Sequence, residues 1–180
     1  MKSRFQKTIL ALATILVAAP TMALGTTHPP NPLDRLSDKV RHELVMLPFY
    51  NVFDNLTFRV DGDVVTLAGQ VSRPTLKSDA EAVVRRVAGV REVRNEIEVL
   101  PLSGFDNRIR LGVLRAVYGN SVLNRYALGA HPSIRIIVKD GNVTLEGVVA
   151  SEMDRNVAFL AANGVSGVFS VTNHLRVDRS

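Results

Sequence analysis

The residue types that most often catalyse reactions or bind metals are sparse in this chain and are not grouped. The chain has no cysteine, which excludes disulfides, thiolate zinc sites and cysteine nucleophiles. Its four histidines, His28, His42, His131 and His174, show no metal-ligand spacing. We therefore predict no metal site, no cofactor and no catalytic residue. An enzyme with an unfamiliar site remains the alternative.

Glycines and aspartates also fail to form a known chemical motif. The segment 61–63, Asp-Gly-Asp, has too few oxygen ligands for a calcium loop and predicts a hairpin turn instead. Gly69, Gly89, Gly147 and Gly167 are isolated, so they do not make a nucleotide-binding loop. Such glycines are typical of turns and of close backbone packing.

A helix predicted near residues 105–118 carries the best candidate for a binding surface. One apolar stripe, with Phe105, Ile109, Val113 and Val117, has the spacing of a core-facing side. A second stripe about half a turn away comprises Leu111, Leu114 and Tyr118, and Arg108 and Arg115 flank it. An apolar stripe flanked by cations suits insertion at an anionic membrane surface. The alternative is that this stripe packs against the first half of the chain.

Aromatic residues in two predicted loops share this ambiguity between core and partner contact. They are Phe49, Tyr50, Phe53 and Tyr126. We include Tyr126 among the candidate lipid-binding or partner-binding residues.

The distribution of charge favours the second half as the site for an anionic partner. Residues 34–100 carry 10 cations and 11 anions, whereas residues 101–180 carry 9 cations and 6 anions. The whole chain has a net charge of +5, which falls to +2 without residues 1–23. This modest charge does not predict a nucleic-acid partner.

The N-terminus resembles an export signal. Three cations precede an uncharged, mostly apolar run over residues 8–19, and Pro20 follows it. We predict a signal peptide over residues 1–23, cleaved after Ala23, and a flexible segment over residues 24–32. An uncleaved anchor is the alternative, although the apolar run is short for a membrane span.

An internal repeat organises the rest of the chain. Residues 56–99 align without gaps with residues 134–177, at a constant offset of 78, and 13 of the 44 positions are identical. Each copy shows an alternating strand, an Asp-Gly turn, a second strand, a helix and a third strand, and a further helix precedes each copy. The pattern predicts an α+β fold of two tandem αββαβ modules. Each would be a three-stranded mixed sheet with two helices packed on one face.

The second helix of each module has its own predicted start and inner face. In the first copy, Ser72 is the predicted N-cap. In the second copy, Ser151 and Asp154 form a predicted capping box. The side chains predicted to face inward there are those of Val157, Leu160 and Ala161.

Two repeated motifs carry a resemblance to a known family. Residues 65–71 and 143–149 both follow Val-Thr-Leu-x-Gly-x-Val. Residues 89–99 and 167–177 both follow Gly-Val-x-x-Val-x-Asn-x-hydrophobic-x-Val. With these motifs the chain resembles tandem BON-domain (bacterial OsmY and nodulation) proteins. The motif residues expected to be structural are Gly69, Gly89, Asn95, Gly147, Gly167 and Asn173.

The resemblance implies a division of the chain and a type of function. It implies a first BON domain over residues 33–100, a linker over 101–104 and a second BON domain over 105–178. It also implies a non-enzymatic periplasmic protein of the osmotic or envelope stress type, peripheral to the envelope or outer membrane. Phospholipid is the implied partner, and the distribution of charge favours an anionic one. A soluble chaperone or a module that binds envelope proteins is the alternative, and the oligomeric state stays open.

Overall fold

The computed structural model describes residues 32–128 and 131–178. The predicted signal peptide and most of the segment that follows it lie outside these residues. Within these ranges, four α-helices and two sheets are arranged as two modules. The elements of the first module are α1 (Pro32–Val45), β1 (Asn55–Asp61), β2 (Val64–Val71), α2 (Pro74–Arg85), β3 (Glu92–Asn95) and β4 (Glu98–Val99). Those of the second are α3 (Gly104–Tyr118), β5 (Ile134–Lys139), β6 (Asn142–Val149), α4 (Glu152–Asn163), β7 (Ser170–Asn173) and β8 (Arg176–Val177), with a short 3₁₀ helix at Asn124–Ala127.

Each sheet is mixed and has three strand positions. In the first module, β1 pairs antiparallel with the central strand β2, and β3 and then β4 pair parallel with it on the other side. The second module repeats this arrangement with β5, β6, β7 and β8. Two helices pack over the buried face of each sheet, where they enclose a separate apolar core. The predicted α+β fold with two αββαβ modules is confirmed.

The structure also preserves the offset of 78 between the copies. The central strands, the second helices and both segments of the third strand all differ by this number. Leu67 and Leu145 are both fully buried. Val93 and Val171 are both half-buried at equivalent places in the parallel pairing. Equivalent residues therefore have equivalent environments, as the repeat predicts.

Two of the motif glycines allow a close backbone approach in the first hairpin of each module. Gly69 has φ +108, and a Cβ there would lie 2.0 Å from the carbonyl oxygen of Asn55. Gly147 has φ +127, and its Cβ would lie 1.9 Å from the carbonyl oxygen of Ser133. No other residue fits these positions without moving the neighbouring strand.

The two motif asparagines bridge the break in the third strand. The side-chain amide of Asn95 donates to the carbonyl of Lys77 on α2 at 2.9 Å, and its oxygen accepts the N–H of Ile97 at 3.3 Å. In the second module, Asn173 makes the equivalent bonds to Arg155 and Leu175, at 2.8 and 3.1 Å. Each asparagine thus satisfies a backbone donor that leaves the ladder and ties the strand to the helix.

The start of the second helix differs from the sequence prediction in the first module only. Ser151 is the N-cap of α4, where its hydroxyl accepts the N–H of Asp154 at 3.1 Å, so the predicted cap is confirmed. The predicted Ser72 cap is wrong, because Arg73 is the N-cap of α2 and no side chain caps it. The hydroxyl of Ser72 instead donates to buried Asp54, at 2.8 Å.

The inner face of α4 also differs from the prediction. Asp154, Ala158 and Ala162 are its buried residues. Leu160 is 66% exposed, so its predicted inward position is wrong. The 3.6-residue period explains this, since a residue two positions from both buried alanines lies on the far side of the helix.

A loop of the first module lies along the edge strand of the second. The carbonyl of Val52 accepts the N–H of Ile136 in β5 at 2.9 Å, and that of Asn51 accepts from the Arg135 guanidinium at 2.9 Å. The side chains of Val52 and Phe53 pack against the core of the second module. The first module therefore covers a sheet edge that would otherwise expose unpaired backbone groups.

Candidate membrane-binding surface

Helix α3 presents one side to the core and the opposite side to solvent. Its N-cap, Ser103, accepts the N–H of Asp106 at 3.1 Å. Ile109, Val113 and Val117 are buried in the core of the second module, in agreement with the predicted inner stripe. Phe105, expected in the same stripe, is 39% exposed because it lies in the first turn, at the margin of the core.

The second apolar stripe of α3 divides between surface and core. Leu111 is 44% exposed. Leu114 and Tyr118 are partly buried against the core, in the cluster that Val52 of the first module also joins. The Tyr118 hydroxyl donates to the carbonyl of Ile134, and burial raises the pKa of Tyr118 to about 12. Tyr118 is therefore a neutral, anchored phenol, and only Leu111 of this stripe is open to a partner.

Tyr126 is buried and belongs to a polar network inside the second module. Its hydroxyl donates to the carboxylate of Asp154 at 2.9 Å and accepts the N–H of Ala150 at 2.8 Å. Arg125 and Ser151 also donate to Asp154, at 2.6 and 2.7 Å. Burial raises the pKa of this carboxyl, but the hydrogen bonds from Ser151 and Tyr126 and the charge of Arg125 outweigh burial and hold the pKa below its usual range. This network orders the loop before β5.

The exposed candidates fall on one side of the helix. Arg108, Leu111 and Arg115 are all exposed and are spaced at i, i+3 and i+7, so they share a face. We call these three residues the α3 outer face. The guanidinium of Arg108 lies 5.8 Å from the centre of the Phe105 ring, which links this face to the start of the helix.

An exposed aromatic pair extends the α3 outer face. Phe105 and Phe169 have ring centres 5.9 Å apart, and Phe169 is 74% exposed. Gly141 leaves the room for this pair, because a Cβ there would lie 2.5 Å from the Phe169 ring. We call Phe105 and Phe169 the aromatic corner.

The prediction from sequence missed Phe169, although the repeat contains a signal for it. At the offset of 78, Gly141 and Phe169 correspond to Asp63 and Arg91 of the first module. Those two residues form an ion pair at 2.7 Å. A charged pair in one copy and a glycine beside a phenylalanine in the other mark a place where the two surfaces have diverged.

The chemistry available to this surface is that of contact with another surface. In the described residues, no group of three or more His, Cys, Asp or Glu side chains is placed to hold a metal ion. No helix in these same ranges is long and apolar enough to span a membrane. The α3 outer face and the aromatic corner together combine two arginines, a leucine and two phenylalanines along one helix and its neighbouring loop.

Comparison with known proteins gives a family match and matches to several solved chains. No curated protein matches the chain. Two of these structures are of CdsD, a structural protein of the type III secretion system of Chlamydia trachomatis, and the first of the two is described as its C-terminal domain. They are 12% and 14% identical to this chain, with a TM-score of 0.28 in both cases. The matches cover 79% and 81% of this chain and 97% and 94% of theirs.

The family match agrees with the two modules. The model of the BON domain matches residues 33–101 and again residues 120–179. These two segments contain both sheets and both repeated motifs. The chain therefore belongs to the BON domain family, as a protein with two tandem copies of the domain.

Proposed function

We propose that this chain is an exported, non-enzymatic protein that binds anionic phospholipid at the envelope membrane, mainly through its second module. The observation that carries the proposal is the continuous exposure of the aromatic corner and the α3 outer face. BON-domain proteins are generally non-enzymatic envelope or periplasmic proteins of the stress type. That family background favours a surface-binding role over a chemical reaction.

The proposed contact has both components of interfacial binding. Full burial of an exposed side chain of this size contributes about 1.5–3 kcal/mol. Phe169, which is 74% exposed, has the most apolar area left to bury, and Leu111 and Phe105, at 44% and 39%, contribute less. Arg108 and Arg115 lie between and beside them, where each cation near an anionic surface contributes about 1 kcal/mol. Residues 105 to 115 extend about 15 Å along the helix axis, so the helix would lie parallel to the membrane surface.

Vesicle co-sedimentation of residues 24–180, which contain both modules, tests this proposal. We expect the protein to sediment with phosphatidylglycerol vesicles at low salt and much less with phosphatidylcholine vesicles. Arg108→Ala/Arg115→Ala should weaken this binding about thirtyfold, since two cations worth about 1 kcal/mol each are lost. Arg59→Ala/Arg94→Ala in the first module is the matched control and should bind like the parent protein.

The apolar contribution needs its own variant. Leu111→Glu should abolish sedimentation without loss of thermal stability, because this side chain is already exposed. Met46→Glu, a similar change at an exposed residue of the first module, is the control. The proposal would be contradicted if the protein sedimented equally with anionic and neutral vesicles, or if Leu111→Glu sedimented with anionic vesicles as well as the parent protein does.

A role as a protein-interaction module is the second candidate, and one residue of the first module favours it. Phe49 is exposed and has φ +67, a left-handed conformation that is costly for a bulky side chain. If this is the functional contact, Phe49→Ala should reduce copurification of envelope polypeptides, while the chain should fail to sediment with either type of vesicle.

A further inference from the structure

A cleft beside the linker brings the starts of two helices together. It has a volume of about 460 Å³ and lies between the loop before β1, the start of α2, the linker and the first turns of α3. Arg73 is the N-cap of α2 and Ser103 is the N-cap of α3, and both line this cleft. Because the first N–H groups of a helix have no partner within it, both helices direct partial positive charge towards the cleft.

The two helix starts differ in how completely they are capped. Ser103 accepts only the N–H of Asp106 in the first turn of α3, and no side chain caps α2. The Arg73 guanidinium is exposed at the rim of the cleft and lies 5.1 Å from the centre of the Phe49 ring. An exposed cation and two helix N-termini therefore meet in one concave surface.

A buried arginine in the wall of the cleft gives an independent indication. Arg110 is only 6% exposed. Its terminal nitrogens donate to the side chain of Asn107 at 3.1 Å and to the carbonyl of Val138 at 2.8 Å. Its Nε is buried and has no hydrogen-bond partner within residues 32–128 and 131–178. A buried donor without a partner is costly, and an acceptor that reached it would remove the cost.

The nearby carboxylates do not bond to this arginine. Both oxygens of Asp106 accept backbone N–H groups, from Asp140 at 3.1 Å and from Gly141 at 2.8 Å. The oxygens of Asp54 accept from Ser72 and Asn51. Burial lowers the pKa of Arg110, and the charges of Asp106 and Asp54 oppose that effect without cancelling it. The guanidinium thus lacks the bidentate acceptor that a buried arginine usually has.

We propose that this cleft is a binding site for a phosphoryl anion, held between the start of α2 with Arg73, the start of α3 and the side chain of Arg110. A tetrahedral oxyanion can accept from several converging N–H groups at once, which suits donors that approach from two helices. The phosphoryl group belongs either to free phosphate or to a phosphodiester headgroup. This site is separate from the α3 outer face.

Titration of ¹⁵N-labelled residues 24–180 at constant ionic strength tests the site. The probes are inorganic phosphate and glycerophosphoglycerol, a soluble phosphodiester headgroup, each raised to about 50 mM, well above a millimolar dissociation constant. We expect the amide signals of Gly104 and Phe105 and the Nε–H signal of Arg110 to shift with at least one probe. Whichever probe binds more tightly identifies the source of the phosphoryl group.

Substitution of Arg73, at the rim of the cleft, distinguishes binding at this site from a nonspecific effect of charge. Arg73→Ala should weaken the affinity about tenfold, the usual effect of losing a charge-assisted hydrogen bond. Arg85→Ala, at the other end of α2 and also exposed, is the matched control and should leave the affinity unchanged. Arg110 is not substituted, because a change at this buried position could prevent folding.

Two results would overturn the proposal. The first is the absence of shifts with both probes, or the same shifts with chloride alone. The second is an equal affinity in Arg73→Ala and the parent protein. The vesicle assay is independent of this test, since Leu111→Glu is expected to remove vesicle binding and Leu111 does not line the cleft. Either proposal can therefore fail without the other.

Discussion

The same corner of the two modules is built in two different ways. In the first module, Asp63 and Arg91 close the corner between the hairpin and the third strand with an ion pair at 2.7 Å. In the second, Gly141 and Phe169 occupy the equivalent positions, and Phe169 lies exposed against Phe105. One copy has a charged, solvated corner and the other an apolar one. The two copies therefore share the same core arrangement but differ at this surface, which is charged in the first module and apolar in the second.

A second comparison concerns the loop that enters the first strand of each module. In the first module, the first residue after the central strand is Ser72, and its backbone N–H donates to the carboxylate of Asp54 at 2.7 Å. In the second module, the backbone N–H of the equivalent residue, Ala150, donates to the hydroxyl of Tyr126 at 2.8 Å. The same backbone donor is thus satisfied by a carboxylate in one copy and by a phenol in the other. Loops of different length met one requirement of the fold with different chemistry.

The largest expected effect is the loss of the carboxylate in the first loop. Asp54→Ala would leave three donors of Ser72 and Asn51 without their acceptor and would also loosen the loop that covers β5. We expect the free energy of unfolding to fall by about 3 kcal/mol in urea denaturation. Asp61→Ala, an exposed aspartate of the same module, should change it by less than about 0.5 kcal/mol. Equal effects of the two substitutions would show that Asp54 has no special role.

The phenol in the second loop should have a smaller effect. Tyr126→Phe keeps the ring but removes one acceptor for Ala150 and one donor to Asp154. We expect a loss of about 2 kcal/mol in the same denaturation experiment. Tyr50→Phe is the control, since no hydrogen bond of its hydroxyl is found among the described residues, and it should unfold like the parent protein. A Tyr126→Phe variant as stable as the parent would show that the loop is held by packing alone.

The aromatic corner should affect binding more than stability. Phe169→Ala removes an exposed ring, so the midpoint of thermal unfolding should hardly move. Its affinity for phosphatidylglycerol vesicles should fall about tenfold, because one phenylalanine no longer enters the interface. Arg91→Ala, at the equivalent position of the first module, should leave vesicle binding unchanged. If both variants bind equally well, the divergence of the two corners has another cause.

How far the sequence predicts these features depends on whether they repeat. The strands and second helices follow from the offset of 78, because alternation and helical spacing recur in both copies. Exposure along α3 does not follow from spacing alone. Leu114 and Tyr118 are partly buried against the core of the second module, to which Val52 and Phe53 of the first module also pack, and a contact between distant segments leaves no local pattern. Ser72 fits a cap by type, but Asp54, 18 residues earlier, takes its hydroxyl.

The smallest expected effect is a difference between the two modules in how their stability depends on acidic pH. The pKa values of Asp63 and Asp154 are both lowered, the first mainly by the hydrogen bond from Arg91. Burial raises the pKa of Asp154, but the hydrogen bonds that its carboxylate accepts and the charge of Arg125 lower the pKa by more. A folded-state pKa below the unfolded value, about 3.9, means that the unfolded chain binds protons first as the pH falls. The stability from each group is therefore present above about pH 4 and is lost below it.

Burial decides which of these two carboxylates matters. The Asp63–Arg91 pair is exposed on both sides, so solvent and salt screen it, whereas the Asp154 side chain is buried. We expect Asp154→Asn to lower stability at pH 7 and to flatten its decline between about pH 5 and pH 3, as measured by urea midpoints across this range. Asp63→Asn should leave the profile nearly unchanged. Because the Asp154 network orders the loop before β5, an acid profile that responded only to Asp63→Asn would place the pH-sensitive structure in the first module, contrary to the geometry.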